Sequence, residues 1–357
     1  QRRWRVPVLS EVTSVAYLDN GSRLAASTFS QVTVWNPRDP VSHQQVAAHG
    51  ASSLAATDAG SRLAMVRGWQ AGIQIWDSKT NQTSLLTEQN RFKAVAWTSD
   101  GSRLAALSTD GTTQVWDVVA GTLLQSAPGT PNALRLNWSR GDADLTLFAL
   151  SQDLLRWRLT NPDGFEQLKN VRSAIAFSKD GSQALAKKAF RGTELSQWNN
   201  DMGRHIASYE VPSDEKLVEF AMDNDENHAA TFGLHDGDLY LFDLDSSHVT
   251  RWLSPTLTDI QWGPGKWLAV ARCDGVIDLF DAMHQRRGVW LPLQNGEYLV
   301  CAPDSGIQLS NQAHQQLILI EESARGIQVL KRLEAEVING LNRSGFPSLS
   351  DPASFIR

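Results

Sequence analysis

A chain of 357 residues with 41% hydrophobic and 20% charged content can bury a large core, which separates it from disordered and fibrous sequences. A net charge of −6 argues against a generic nucleic-acid binder, which would carry a basic stripe. No apolar run approaches the roughly 18 residues of a membrane span, no secretory leader is visible, and two cysteines, Cys273 and Cys301, make no disulfide framework and are expected as reduced, buried thiols.

The chain opens with Gln1 rather than Met, which suggests part of a longer polypeptide. Residues 1–9 alternate Trp4, Val6 and Val8 with polar or turn residues, a half-buried strand standing before the first full repeat. In a closed ring such an orphan strand completes the last unit and removes an exposed edge. The first unit, from about 12 to 49, runs Val12–Tyr17, a turn at Asp19-Asn-Gly-Ser22, Arg23–Ser27, then Val32-Thr-Val-Trp-Asn36. The order recurs with Asp58-Ala-Gly-Ser-Arg-Leu-Ala64 before Ile73-Gln-Ile-Trp-Asp77, and with Ser99-Asp-Gly-Ser-Arg-Leu-Ala-Ala106 before Thr113-Gln-Val-Trp-Asp117. Asp-Gly and Asn-Gly supply the positive φ of tight hairpins, so each unit reads as four short strands.

The aromatics that close the third strands are Trp35, Trp76, Trp116, Trp157, Trp198, Phe242 and Phe280, spaced 41, 40, 41, 41, 44 and 38 residues apart. One further step of 40 lands on Ile320. A period of roughly 40–45 residues built of short strands is that of a propeller blade. A second column, Tyr17, Trp97, Trp138, Phe177 and Trp262, lies in the first strands and is expected to fill the gaps between blades packed face to face. After Glu322, Ile327, Leu330, Leu333, Val337 and Leu341 recur every three or four residues, which predicts an amphipathic helix over 326–341 and a Pro- and Ser-containing tail to 357. The expected fold is all-β: a single propeller of four-stranded antiparallel blades over 1–322, closed by the N-terminal strand, with the helix and tail over 323–357. The copy at Ile320 and the strand at Trp4 favour eight blades, with seven as the alternative.

The unit Ala94–Asp117, with Asp-Gly turns at Asp100 and Asp110 and the closing Trp116-Asp117 pair, resembles the WD-repeat β-propeller family, and the likeness runs over roughly residues 2–322. The literal Trp-Asp pair stands only at Trp76-Asp77 and Trp116-Asp117, and His49-Gly50 is a reversed echo of the family's Gly-His. The Ala- and Gln-rich composition looks like a bacterial member. The resemblance implies a rigid scaffold or sensing platform for protein partners, including other domains of the same polypeptide, in the cytoplasm.

No catalytic or metal pattern stands out. The eight histidines contain no i, i+4 pair, and neither cysteine belongs to a Cys-x-x-Cys. Gly-x-Ser-x-Gly, phosphate-loop and dinucleotide motifs are absent. The reading is a non-enzyme without cofactor or metal. The candidate site is the set of loops between second and third strands, which share one rim with the loops entering each blade. Arg67-Gly-Trp-Gln-Ala-Gly72 offers Arg67 and Trp69, Lys187-Lys-Ala-Phe-Arg-Gly192 offers Phe190 and Arg191, and Phe29, His235 and Arg272 hold comparable positions. Aromatic and arginine side chains on rigid loops are what protein interfaces anchor on. The alternative is a propeller enzyme or small-ligand binder whose site several blades assemble at the channel mouth.

Overall fold

The structure is a computed structural model. It describes residues 2–5, 11–36, 39–46, 50–57, 60–67, 70–129, 131–138, 142–149, 153–160, 164–172, 174–177, 183–187, 194–199, 204–210, 217–223, 227–233, 237–254, 256–263, 266–292, 298–302, 306–309, 318–323 and 326–332. β1 is Arg2–Arg5. The first unit is β2–β5 (Val12–Leu18, Arg23–Thr28, Val32–Asn36, Asp39–Val46), the second β6–β9 (Ala51–Ala56, Arg62–Arg67, Ile73–Asp77, Gln82–Thr87) and the third β10–β13 (Phe92–Trp97, Arg103–Ser108, Thr113–Asp117, Thr122–Ala127). The fourth is β14–β17 (Ala133–Trp138, Asp144–Ala149, Asp153–Arg158, Glu166–Arg172) and the fifth β18–β21 (Ala174–Phe177, Gln183–Lys187, Glu194–Asn199, Arg204–Glu210). The sixth is β22–β25 (Leu217–Met222, His228–Gly233, Leu239–Asp243, His248–Trp252). The seventh opens with β26–β29 (Leu257–Gly263, Trp267–Arg272, Ile277–Phe280, Arg286–Pro292) and runs on through β30 (Tyr298–Ala302) and β31 (Gly306–Leu309). The last strands are β32 (Ile318–Ser323) and β33 (Gly326–Arg332). Within each unit the strands pair in chain order, and the fold is an all-β propeller of small four-stranded antiparallel blades.

The residue pattern follows from a blade's position between two neighbours. Second strands are covered on both faces, so they read as unbroken apolar runs rather than alternations. Leu63, Ala64, Met65 and Val66 of β7 and Leu104, Ala105, Ala106 and Leu107 of β11 are all buried. Small alanines stand where two blades approach closely. The fourth strands form the outer wall; β13, Thr-Leu-Leu-Gln-Ser-Ala, is exposed at five of its six positions.

First strands line the axis. β2 packs against β6 on one side and β26 on the other; β10 joins β6 to β14, and β22 joins β26 to β18. The cores lie between blades. Trp35 and Val15 of the first unit share one with Ala269, Ile277 and Trp290 of the seventh. Third-strand aromatics meet fourth-strand aromatics of the adjoining blade: Trp35 on Trp290 at 5.2 Å, Phe280 on Trp252 at 5.3 Å and Phe242 on Tyr209 at 6.3 Å between centroids, all edge-on.

The first-strand aromatics add a polar stitch. Trp97 Nε1 donates to Ala55 O (3.0 Å), Trp138 Nε1 to Ala96 O (3.0 Å) and Trp262 Nε1 to Ala221 O (3.1 Å), each reaching the preceding blade's first strand. A Cβ on Gly263 would stand 2.7 Å from the Tyr17 ring, so Tyr17 occupies the same place against the seventh unit. The arginine of the Gly-Ser-Arg repeat reaches forward instead. Arg23 lies over the Trp76 ring at 5.6 Å, Arg103 over Trp138 at 5.4 Å, and Arg62 Nη1 donates to Gly101 O at 3.5 Å.

The turns explain the recurrent aspartates. Asp100 Oδ1 accepts from the Ser102 amide (2.9 Å) and the Thr98 hydroxyl (2.7 Å), while Gly101 sits at φ +67°. The Asp of each Trp-Asp pair closes the next hairpin: Asp77 Oδ1 accepts from the Lys79 and Thr80 amides, and Asp117 Oδ1 from the Ala120 amide at 2.8 Å. The motif is thus a packing ring followed by a turn cap.

The N-terminal strand does pair with the strand containing Ile320, Arg3 opposite Ile320 and Trp4 opposite Leu319. The unit expected around Ile320 is not a four-stranded blade, however: β30 and β31 extend the seventh sheet, and β32 lies between β1 and β33. The helix expected over 326–341 is replaced, over Gly326–Arg332, by β33 paired with β32; residues 333–341 lie outside the described residues. Ile327 and Val329 fit a two-residue period where Ile327 and Leu330 fit the helical one; Ile327 and Val329 are β-branched, and β32 offers them an open edge.

Candidate interaction rim and channel mouth

The hairpins between second and third strands and the connections that enter the blades share one rim, held by backbone hydrogen bonds. Gly72 N donates to Asn90 O (2.9 Å), Thr109 N to Arg91 O (2.8 Å) and Cys273 N to Thr256 O (3.0 Å). Gly50 enters the second blade beneath the first hairpin, where a Cβ would overlap the Thr28 carbonyl oxygen and the Phe29 backbone. Glycine is required there by close approach, which gives Gly50 a structural role. The described hairpins are therefore braced by the blade entries, the first and second by the entry of the following blade and the third and seventh by the entry of their own.

Phe29 stands on the first hairpin with 44% of its surface exposed. Thr28 Oγ1 accepts from the Ser30 (3.3 Å) and Gln31 (3.2 Å) amides and fixes the turn that presents it. Arg67 ends β7 on the neighbouring hairpin, half-buried, and its Nη1 donates to Ala71 O at 3.2 Å, closing the loop. Arg272 belongs to the seventh unit's hairpin, adjoining the first, but it is 6% exposed. Its guanidinium is held by Asp274 and by Asp278 (3.2 Å), and Arg286 approaches Asp278 at 3.3 Å from the other side. Burial works against the Arg272 charge, yet Asp278 and Asp274 outweigh it and raise its pKa. Burial raises the Asp278 carboxyl, opposed by Arg272 and Arg286. Arg272 thus stands at the hairpin with its side chain turned inward onto Asp278, since a hairpin position does not fix which way a long side chain turns. Cys273, beside it, is free and exposed rather than buried. Trp69, Phe190, Arg191 and His235 lie outside the described residues.

At the axis, on the same side, the structure assembles a group that motif reading missed. The first hairpin of every unit has a one-residue register shift near the start of its inner strand, at Val12/Ser14, Ala51/Ser53, Phe92/Ala94, Ala133/Arg135, Ala174/Ala176, Leu217/Glu219 and Leu257/Asp259. Such bulges re-aim the residue that follows. Asp259 Oδ2 accepts from Ser14 Oγ (2.6 Å) and the Val15 amide (2.8 Å), and Oδ1 accepts from the Ile260 amide (2.9 Å). Ser14 Oγ in turn accepts from the Leu54 amide at 3.1 Å, so one chain of hydrogen bonds crosses units seven, one and two. Arg135 reaches Asp259 Oδ1 from the fourth unit's inner strand, Nη2 at 3.8 Å, with 49% of its side chain exposed against 10% for Asp259. Burial raises the Asp259 carboxyl, and Arg135 with the Ser14, Val15 and Ile260 donors opposes that rise. The Arg135 guanidinium is lowered by the walls around it despite its open surface, with Asp259 opposing. The sequence signal for this pair is a charge at the third position of a first strand, Arg135 of β14 and Asp259 of β26, a place that Glu219 holds in β22.

A third cluster lies at the opposite rim between units six and seven. His228 Nδ1 is 2.9 Å from Asp223 Oδ2, and the His228 and His284 rings meet edge-on at 5.7 Å. His284 Nδ1 is 3.4 Å from Thr250 Oγ1. Among the described residues, no three His, Cys, Asp or Glu side chains form a group that could hold a metal ion.

Fold and rim together define a β-propeller with a braced loop surface at one end of its channel. No protein-family model matches the chain, and no curated protein matches it.

Proposed function

We propose that this protein is a non-catalytic interaction platform, a divergent propeller of the WD-repeat kind, that takes a protein partner on the rim carrying Phe29 and Arg67. In this reading the ring has seven blades. The first and seventh units share the Trp35–Trp290 core, and β30–β31 are an addition to the seventh sheet. The observation that carries the functional reading is Phe29, a large apolar ring left 44% exposed on a hairpin fixed by Thr28 and braced by Gly50. A rigid scaffold holding an exposed aromatic loses little entropy on binding, which is how interface anchors work. Asp259 and Ser14 do not read as a catalytic pair, because the carboxylate is occupied by two backbone amides and, among the described residues, no histidine hydrogen-bonds to the serine.

The test is a photo-crosslinking residue placed at Phe29 and, separately, at Val119, which is 77% exposed on the opposite rim. Crosslinking of a discrete partner from Phe29 and not from Val119 is expected. Equal yields from both positions, or none from Phe29, would refute the assignment of the rim.

A further inference from the structure

The first six units each end in a fourth strand whose outer edge pairs with no other described strand, and such an edge is a template for a further one. The seventh unit shows the edge in use: β29 pairs antiparallel with β30, Val289 opposite Cys301 and Leu291 opposite Leu299. A strand laid along a blade's outer edge therefore fits this ring.

The open edges differ in what they present. β5 carries Asp39 and Pro40, β17 carries Glu166, Lys169 and Arg172, β21 carries Arg204 and Glu210, and β25 carries Arg251. Charge and proline are what keep an open edge from pairing. β9 and β13 have neither. Lys79 and Glu88 stand close to the ends of β9, whereas no charged residue lies between Asp117 and Arg135, the stretch that contains β13. Five of the six β13 residues are exposed, Leu123 at 44% and Leu124 at 49% among them, and Leu85 of β9 adds a third exposed leucine on the adjoining blade. The register of β13 shifts at the Leu124 end, and Gln125, Ser126 and Ala127 pair without interruption with Val115, Gln114 and Thr113 on the inner side.

We propose that β13 is the contact between two copies of this chain, paired antiparallel about a two-fold axis near Leu124 and Gln125. Antiparallel pairing makes an edge strand complementary to its own copy, and a two-fold contact sets the same patch against itself. A charge on the strand would then face its own like charge, which a different partner could neutralise and a second copy cannot. Neutrality is thus the property that self-pairing demands, and β13 has it along its whole length and beyond both ends. The exposed leucines leave water in the same contact. Six residues a side make a small interface, so the dimer forms as concentration rises and is not an obligate unit. The surface is the outer wall, apart from the rim of Phe29, and the two assignments stand independently.

The experiment is sedimentation equilibrium of the full chain from about 5 to about 500 µM, the range in which a small interface is read. Wild type is expected to fit a monomer–dimer equilibrium. Leu124→Lys and Leu124→Glu should each weaken dimerisation about tenfold, because each sets like charges near the axis, and an equimolar mixture of the two should recover association through the mixed pair. Ser126→Lys, at an exposed polar position, should weaken it as well. Ile206→Lys, as exposed as Leu124 at 48% but on the charged edge β21, should leave it unchanged. If Leu124→Lys lowers the melting temperature, recovery in the mixture and the Ser126→Lys result decide the matter. A wild type that stays monomeric throughout, a dimer indifferent to Leu124→Lys and Ser126→Lys, or open-ended growth past the dimer, as β9 pairing with β13 would give, would overturn the proposal. The product has twice the mass of the chain, which separates it from a partner captured at Phe29.

Discussion

The contact between Trp35 and Trp290 makes a quantitative prediction about how the ring closes. The two rings meet edge-on at 5.2 Å, are 0% and 1% exposed, and belong to units one and seven, more than 250 residues apart in the chain. Truncating either to leucine removes part of a buried aromatic surface and should cost about 2–3 kcal/mol, toward the lower end of the range for large-to-small core changes because leucine refills part of the space. Beyond area burial, an aromatic pair of this geometry is worth about 0.5–1.5 kcal/mol, so the two losses should not add. The assay is a double-mutant cycle by urea unfolding of wild type, Trp35→Leu, Trp290→Leu and the double variant, with m-values checked for two-state behaviour. The double variant should be less destabilised than the sum of the singles by about 1 kcal/mol. Additivity within about 0.3 kcal/mol would show that units one and seven are not packed through these rings, and the proposed seven-blade closure would fail with it.

Two other predictions address the rim and the opposite face. Gly50→Ala forces a methyl group into the Thr28 carbonyl and the Phe29 backbone, so it should lower stability by about 2–4 kcal/mol, and an unchanged urea midpoint would show that the hairpin is not braced there. His284 is lowered below the usual imidazole range by burial and by His228, with His248 adding to this and Asp243 and Asp281 opposing it. Its folded-state pKa therefore lies below its unfolded value, so its stability contribution is intact above the unfolded pKa of about 6.5 and is lost as the pH falls from there through the folded value. His284→Asn, chosen because the residue sits at φ +59°, should flatten the decline in urea midpoint between pH 8 and 5.5; an identical decline in the variant would remove His284 as its source.

What the sequence made legible was local. Asp-Gly turns at Asp100 and Asp110, the third-strand rings and the first-strand rings each depend on residues a few positions apart, and all repeat at one period. The ends of the array were harder to read, because closure is a contact between distant units. The spacing that continues to Ile320 cannot distinguish another blade from strands added to an existing sheet. Ile327, Leu330 and Leu333 fit a helix, but Gly326–Arg332 also fits a strand once β32 supplies a partner edge. At the site, repeat register placed Phe29, Arg67 and Arg272 on neighbouring hairpins of one rim, but only the fold shows Arg272 turned inward onto Asp278. Arg135 and Asp259 were out of reach of any motif, since they belong to different units and meet only across the axis.

The claim that matters most is that the braced rim is the binding surface, and Phe29 tests it most directly. The partner recovered by crosslinking at Phe29 should be titrated calorimetrically against wild type, Phe29→Ala and, as a control on the opposite rim, Met283→Ala, whose side chain is 75% exposed. Phe29→Ala is expected to weaken binding by about tenfold, the loss of one interface anchor of about 1–2 kcal/mol, with no change in melting temperature and with Met283→Ala indistinguishable from wild type. Equal affinity for wild type and Phe29→Ala, or a larger loss from Met283→Ala, would contradict it.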